Sequence, residues 1–460
     1  MKRERYALAE VLTIAQLHPF YHPEIEYPPC EDTIEQAHRK ASGDRADYAL
    51  SSQPLLQKSA IYKAAERLTN DVDRRNTYRQ SSYLSITGGG SGGTPMMFAV
   101  DVHENRQQRI QMGKFIRLCG VVSPRDWVLS THVSGGFYRS LDLMTEILEN
   151  AGASVLSGGD SMTLDEIIQT LLHYHVNVLA GDGSQIVRVT YHVATMSPEV
   201  RSRLKLDKII YTSEPLTATQ QAFIRTTLGD AIGNAELTGE HGLVDEDSNS
   251  VSDFVFDTRN MLLEIFPTAV LDAQGHFSFD PDSEVPSPLP MGQTGLVVQT
   301  SLQRLRNPLV RYITGDVGSV HSLPTSVGDF IPEGERKHLR VLRMQGRDRR
   351  FSFKWSADYT EFERLKALMQ TPKWDILHWQ IILDRLNSSP EVTLEIRLLR
   401  IPTHDGQLLS DECLVKKLWE FFFIIPENQH LFQVTFLKEL SGFERSSTAG
   451  KIINFVDRVH

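Results

Sequence analysis

Apolar and polar positions alternate along this chain with two distinct periods, and the switches between them mark its elements. Between a glycine-rich stretch at 88–93 and about position 300, apolar runs of strand length trade with segments whose apolar residues recur at helical spacing. Trp127-Val128-Leu129-Ser130 reads as a strand, 141–151 as a helix, Ala153-Ser154-Val155-Leu156 as the next strand and 164–174 as a helix again. Val176-Asn177-Val178-Leu179-Ala180 and Ile209-Ile210-Tyr211-Thr212 read as strands, and 217–227 as a helix. That order predicts α/β layering. From Phe254 the texture turns to β, with Met261-Leu262-Leu263-Glu264-Ile265-Phe266 and Gly295-Leu296-Val297-Val298-Gln299-Thr300 as strands around a proline-rich polar loop at 280–292. Beyond Gly346, a strand at 350–354, a helix at 360–369, strands at 378–383 and 392–396, a helix at 411–422 and a strand at 431–436 predict a small α+β domain of its own.

Length and composition fit this layout. With 460 residues, 40% of them hydrophobic and 23% charged, the chain is long enough for two cores or more. A formal net charge of −10 argues against a nucleic-acid platform. The dense basic run from Arg336 to Arg350 reads as a solvated face or a hinge. Cys30, Cys119 and Cys413 are odd in number and lack metal-ligand spacing, so free thiols and a reducing, cytoplasmic compartment are expected. No signal-peptide core and no apolar stretch of ~18 residues occurs, so no membrane span is expected.

Candidate chemistry begins at Thr87-Gly88-Gly89-Gly90-Ser91-Gly92-Gly93-Thr94-Pro95, where five glycines fall within six positions between two strand-like runs. Without Cβ atoms, consecutive N–H groups and the Thr87, Ser91 and Thr94 hydroxyls are open to a polyanion. Gly88, Gly90 and Gly93 satisfy the dinucleotide spacing, but that motif needs a helix at its end, and Pro95-Met96-Met97-Phe98-Ala99-Val100 reads as a strand. A nucleoside-triphosphatase loop needs Lys then Ser or Thr after its last glycine, and Gly93 is followed by Thr94-Pro95. A strand–glycine loop–strand hairpin that cradles phosphate remains.

Taken with the βα-rich body, the β-rich segment and the α+β end, this hairpin resembles the adenylate-forming superfamily, most closely its phenylacetate–CoA ligase-like branch, over nearly the whole chain. His18-Pro19-Phe20-Tyr21 and Pro54-Leu55-Leu56-Gln57-Lys58 resemble that branch's N-terminal elements. The resemblance implies a large N-terminal AMP-binding domain of several α/β subdomains over 1–345 and a small mobile α+β lid domain over 346–460. It gives the ATP β- and γ-phosphates to the loop, through Thr87, Gly90, Ser91, Gly92, Gly93 and Thr94. In that loop Gly92 and Thr94 replace the family's second threonine and its frequent lysine. Ser213-Glu214-Pro215 is similar to the Gly-Ala-Glu-Pro element along the adenine. Glu240, in Glu236-Leu237-Thr238-Gly239-Glu240, falls at the Mg²⁺ glutamate, with Thr238 on the nucleotide; Glu236 then stands where the family stacks an aromatic on adenine.

Pro308-Leu309-Val310-Arg311-Tyr312-Ile313-Thr314-Gly315-Asp316 resembles Pro-x-x-Arg-Tyr-x-Thr-Gly-Asp, which gives the ribose to Asp316. Gly346-Arg347 resembles the interdomain Gly-Arg, with Arg347 near phosphate or ribose and Arg349 at the hinge. Lys451, in Ala449-Gly450-Lys451, matches the lysine that enters the site during adenylation. The acyl pocket is expected at Ser134, Gly135, Gly136 and Phe137, with Tyr138 and the 180–184 segment beside them.

The activity implied is ATP- and Mg²⁺-dependent ligation of a small-molecule carboxylic acid, aryl or arylalkyl, through an acyl-adenylate, with transfer to a thiol such as CoA. Ser356 stands where the family has a glycine beside the pantetheine arm, which keeps an amine or a carrier protein open as acceptor. A non-catalytic nucleotide binder is the further alternative, and a homodimer is compatible with the pattern.

Overall fold

The computed structural model describes residues 4–43, 49–86, 97–212, 216–229, 233–236, 252–271, 277, 286–324, 331–347, 352–355, 358–371, 374–386, 391–402, 409–426, 428–446 and 450–459. The chain forms two compact units, one of residues 1–126, 134–155 and 235–348, the other of 127–133, 156–234 and 349–460. Parallel and antiparallel sheets coexist with helices, as the α/β reading requires.

In the first unit, an antiparallel sheet runs in the order Ser252–Asp257, Leu339–Arg347, Tyr312–Ser322, Gly295–Ser301, Met261–Phe266. The basic run expected as a solvated face or hinge contributes a strand instead, up to Arg347. Its period is two: Leu339 and Val341 are buried with Val255 and Ile331, and Arg340 stands between them on the other face, while Arg343 shares the face of Leu339 and Val341. Arg343 pairs with Asp253 across the sheet at 2.8 Å. Strands Ser82–Ile86 and Met97–Asp101 pair antiparallel around the glycine stretch, in the expected hairpin. Asp101 then caps helix Val102–Leu118, its side chain accepting from the His103 and Glu104 N–H groups.

In the second unit, strands Trp127–Ser130, Val178–Asp182 and Lys208–Thr212 are parallel neighbours. Their buried apolar residues, with helices Leu164–His173, Gly183–Thr195 and Ala218–Leu228, build one core around Leu179, Ile186, Ile209 and Ile224. Leu377, from the C-terminal segment, belongs to that core, and its carbonyl accepts from Gln220 Nε2 at 2.5 Å. The C-terminal sheet, ordered Phe432–Leu437, Val392–Arg400, Ile376–Arg385, Phe455–Asp457, covers a separate core with Leu365, Leu414 and Leu418. A strand at Asp358–Glu361, paired with Ser352–Trp355, precedes helix Phe362–Met369; the polar Asp-Tyr-Thr-Glu sequence carries no apolar period to announce it. Cys30, Cys119 and Cys413 are not joined by disulfides among the described residues.

One buried cation ties the first unit together. Arg311 is 1% exposed and bonds Glu264 through both Nε and Nη2, at 3.0 and 3.1 Å. Its Nη1 donates to the Gln53 carbonyl at 2.7 Å, and the guanidinium lies 5.1 Å from the Phe266 ring centroid. Removing one partner strands the other charge. Arg311→Met is therefore expected to cost about 3–5 kcal/mol, read as a fall in the urea midpoint, while Arg311→Met/Glu264→Met recovers most of it.

Candidate functional site

The strand that carries Asp316 contains a bulge at that residue. Opposite Val297 alone stand Thr314, Gly315 and Asp316, because Val298 pairs with Ile313 and Leu296 with Val317. This bulge bends the strand. Thr314 fastens it, its hydroxyl donating to the Val297 carbonyl at 3.0 Å and accepting from the Asp316 N–H at 3.1 Å. Gly315 has φ +83°, which L side chains rarely adopt. In the register Asp316 stands opposite Arg347 on the neighbouring strand, and these are two residues that the resemblance assigns to the same nucleotide.

The His-Pro-Phe-Tyr segment holds this run to the glycine hairpin. His18 is fully buried: the Phe20 N–H donates to Nδ1 at 3.2 Å, so Nε2 carries the proton toward Asn307 Oδ1 at 3.1 Å. Asn307 Nδ2 donates to the Ala99 carbonyl at 3.1 Å, and Phe20 stacks on Phe98 at 6.3 Å. Tyr21 accepts from the Val310 N–H at 2.6 Å. Burial holds His18 down to about 3, neutral at any physiological pH.

The turn expected in the acyl pocket lies against the loop end of the same hairpin. The Ile86 N–H donates to the Phe137 carbonyl at 3.2 Å. Gly135, Gly136 and Phe137 all have positive φ, of +106°, +54° and +67°, and Phe137 is 69% exposed. Tyr83 lies between two guanidiniums, Arg139 at 4.0 Å and Arg109 at 4.7 Å from its ring centroid, and Asp142 accepts from both.

In the second unit the carboxyl ends of the parallel strands carry a cluster that no sequence motif announced. His132 is fully buried between two hydroxyls: Ser130 donates to Nδ1 and Nε2 donates to Thr212, each at 3.0 Å. The Thr212 hydroxyl donates onward to Asp182 Oδ1 at 3.3 Å. Gly181 lets these ends approach, since a Cβ there would lie 2.6 Å from the Thr131 hydroxyl. Asp182 lies within the 180–184 segment expected beside the acyl pocket, and Thr212 immediately precedes the segment expected along the adenine. The one available signal was strand order, since ligands of α/β sheets gather at carboxyl ends.

Lys451 sits in a narrow hairpin of this unit. The Ser446 N–H donates to the Lys451 carbonyl at 2.7 Å, the Lys451 N–H to the Ser446 hydroxyl at 3.1 Å, and Gly450 turns with φ +63°. Ile452 next to it is buried with Leu399, Leu440 and Phe443, against which Tyr191 of helix Gly183–Thr195 also packs. Thr87, Gly90, Ser91, Gly92, Gly93, Thr94, Ser213, Glu214, Pro215, Thr238, Glu240 and Arg349 lie outside the described residues. Among the described residues, no group of three or more His, Cys, Asp or Glu is placed to hold a metal ion.

No protein-family model matches the chain, and no curated protein does. Among solved structures, 2-hydroxyisobutyryl-CoA ligase in the postadenylation state, in complex with 2-HIB-AMP, matches with a TM-score of 0.60 at 14% identity, over 97% of this chain and 87% of that one. The chain has the fold of the adenylate-forming ligases. ATP-bound MatB from Rhodopseudomonas palustris matches with a TM-score of 0.44 at 13% identity, over 80% of this chain and 66% of that one. The amide bond synthetase McbA from Marinactinospora thermotolerans matches with a TM-score of 0.45 at 14% identity, over 86% of this chain and 77% of that one.

In this adenylate-forming fold the strand-end cluster carries a pH signature. Desolvation lowers His132 from its ordinary value of 6.5 to about 4, against the opposing pull of Asp182. Between those values the unfolded chain binds a proton that the fold excludes, so stability is fully present above pH 6.5 and falls as the pH drops toward 4. The whole effect is on the order of 3 kcal/mol. His132→Gln is expected to flatten the acid limb of a stability-versus-pH curve by about that share, with a lower plateau at pH 8.

Proposed function

We propose that the protein is an ATP-dependent carboxylic acid ligase that forms an acyl-adenylate and passes the acyl group to a thiol such as CoA. The observation that carries this reading is Asp316, set at a bulge within an Arg-Tyr-x-Thr-Gly-Asp run and in register with Arg347, on a chain with this fold. A carboxylate so placed accepts both hydroxyls of a ribose. The 2-HIB-AMP bound by the structural neighbour is an acyl-adenylate of the kind such a site would take.

Two anions must meet in the first step. A carboxylate oxygen attacks the α-phosphorus, the bond to the bridging oxygen breaks and pyrophosphate leaves with that electron pair. The substrate is already ionised, so no general base is needed. The Lys451 ammonium, carried in on its hairpin, offsets the charge between carboxylate and α-phosphate, and the N–H groups of the glycine loop hold the departing pyrophosphate. Mg²⁺, given to Glu240 by the resemblance, would neutralise phosphate charge. On this reading the C-terminal segment from 346 is a mobile lid, and the branch is phenylacetate–CoA ligase-like. The acid is aryl or arylalkyl, received against Phe137.

Pyrophosphate release from Mg·ATP over a panel of aryl and alkyl acids tests the first step. Acid-dependent release is expected, and Lys451→Ala should lower it about 10²–10³-fold while leaving the binding of a non-hydrolysable ATP analogue within about twofold. A further rise with CoA identifies the acceptor as a thiol. ATP binding without release for any acid would sink the ligase reading in favour of a nucleotide binder.

Phe137 is separately testable, because its left-handed backbone costs about 1–2 kcal/mol that glycine would not pay. Phe137→Gly is expected to raise the melting temperature yet raise KM for the acid about tenfold, the effect of losing an aromatic wall.

A further inference from the structure

The turn at 303–307 feeds directly into the 308–316 run and lies against strand Met97–Asp101, which leaves the glycine hairpin. The N-terminal end of helix Val102–Leu118 holds it there. Asp101 Oδ2 accepts from Arg306 Nη1 at 3.0 Å, Glu104 Oε1 accepts from the Leu305 and Arg306 N–H groups at 2.8 and 3.2 Å, and Gln108 Nε2 donates to the Gln303 carbonyl at 3.3 Å. Residues 101, 104 and 108 are spaced by three and four, so they line one face. Asn307 completes the staple, its Nδ2 donating to the Ala99 carbonyl of the hairpin strand at 3.1 Å.

Of these contacts Glu104 is the one that answers to a proton. It is 8% exposed and both N–H groups converge on one oxygen, while Oε2 is buried without a hydrogen-bond partner among the described residues. A buried carboxylate with one oxygen unanswered is held at less cost as the neutral acid. The groups that face it do not offset that cost. Arg306 spends its guanidinium on Asp101 and, at 2.6 Å, on the Thr77 carbonyl. Arg304 pulls toward the ionised form from over the Phe98 ring, 5.4 Å from its centroid. Asp101 opposes it with a like charge, and the Tyr6 hydroxyl comes in from the N-terminal segment, whose backbone is tied by the Tyr6 N–H to the Leu302 carbonyl at 2.8 Å. Burial, and after it Asp101, raise the carboxyl from 4.5 to about 7 against the pull of the two N–H donors.

Linkage fixes the direction. With the turn lifted and Glu104 in water, its carboxyl returns to 4.5, so the closed arrangement is the one that takes up the proton. Closure has its full strength below pH 4.5, weakens as the pH rises, and has lost this contribution above about 7. We infer that Glu104 is a positioning residue of the nucleotide site, a proton-operated latch that closes most firmly when its carboxyl is neutral and fixes the turn before Asp316 against the strand of the glycine hairpin. It acts on the nucleotide through that turn only if, as proposed above, the hairpin and Asp316 hold ATP.

Hydrogen exchange of the 303–307 amides in the full chain tests the latch, at pH 6 and pH 8 with intrinsic rates corrected, beside titration with a non-hydrolysable ATP analogue under the same conditions at constant ionic strength. In wild type, protection of the Leu305 and Arg306 amides is expected to fall about tenfold from pH 6 to pH 8, and the analogue to bind about threefold or more weakly at the higher pH. Glu104→Gln, whose amide oxygen still accepts both N–H groups but never ionises, should keep its pH 6 protection and affinity at pH 8. Glu104→Ala should lose both at either pH. Equal pH dependence in wild type and Glu104→Gln, or protection that survives in Glu104→Ala, overturns the latch, and so does a pH response of protection that affinity does not follow. Should Glu104→Ala fail to fold, wild type against Glu104→Gln still decides. No binding of the analogue at either pH with the protection pattern as expected would reject the nucleotide reading and leave the latch standing.

Discussion

The buried Arg311 guanidinium is the constraint around which the first unit is arranged. A permanent cation can be taken from water only where its donors are answered, and here a bidentate carboxylate and backbone carbonyls from a distant segment do so. Those partners come from strand Met261–Phe266 and from residues around Gln53, so one side chain ties three stretches of chain. Its own φ of +47° is held by the Thr300 hydroxyl, which accepts from its N–H at 2.9 Å. Strand Tyr312–Ser322 begins at the next residue and carries Asp316. The charge pair thus fixes the residue from which the strand carrying Asp316 begins.

Neutral imidazoles do comparable work without carrying charge. His18 joins the Asn307 side chain to the Phe20 backbone, and His132 joins two hydroxyls across parallel strands. Each ring has one N–H donor and one bare acceptor, so a single buried side chain links two partners of opposite kind. Burial enforces that state by disfavouring the cation, and it makes these links sensitive to acid.

The sequence was readable where chemistry and periodicity coincide. Alternating apolar runs announced the parallel strands and the helices between them, and the glycine hairpin and the run to Asp316 announced themselves by composition and order. The 339–347 strand was misread because the seven arginines and lysines from 336 to 350 outweighed the two-residue period of Leu339 and Val341. His132, Asp182 and Thr212 were not selected as a group because they stand 50 and 30 residues apart and meet only when three strands align. Such clusters follow from sheet order, which a local pattern does not contain. The Asp316 bulge lies between these cases: its residues were visible, its two-residue excess over Val297 was not.

Charge distribution adds a final constraint. At a formal net charge of −10 the chain repels polyanions at long range, so affinity for phosphate must come from short-range donors, within a Debye length of about 8 Å. Glycine loops provide such donors without any side-chain charge, since backbone N–H groups are not cancelled by surrounding carboxylates. Side-chain cations do so only when left unpaired, because an arginine bonded to a carboxylate has spent much of its field.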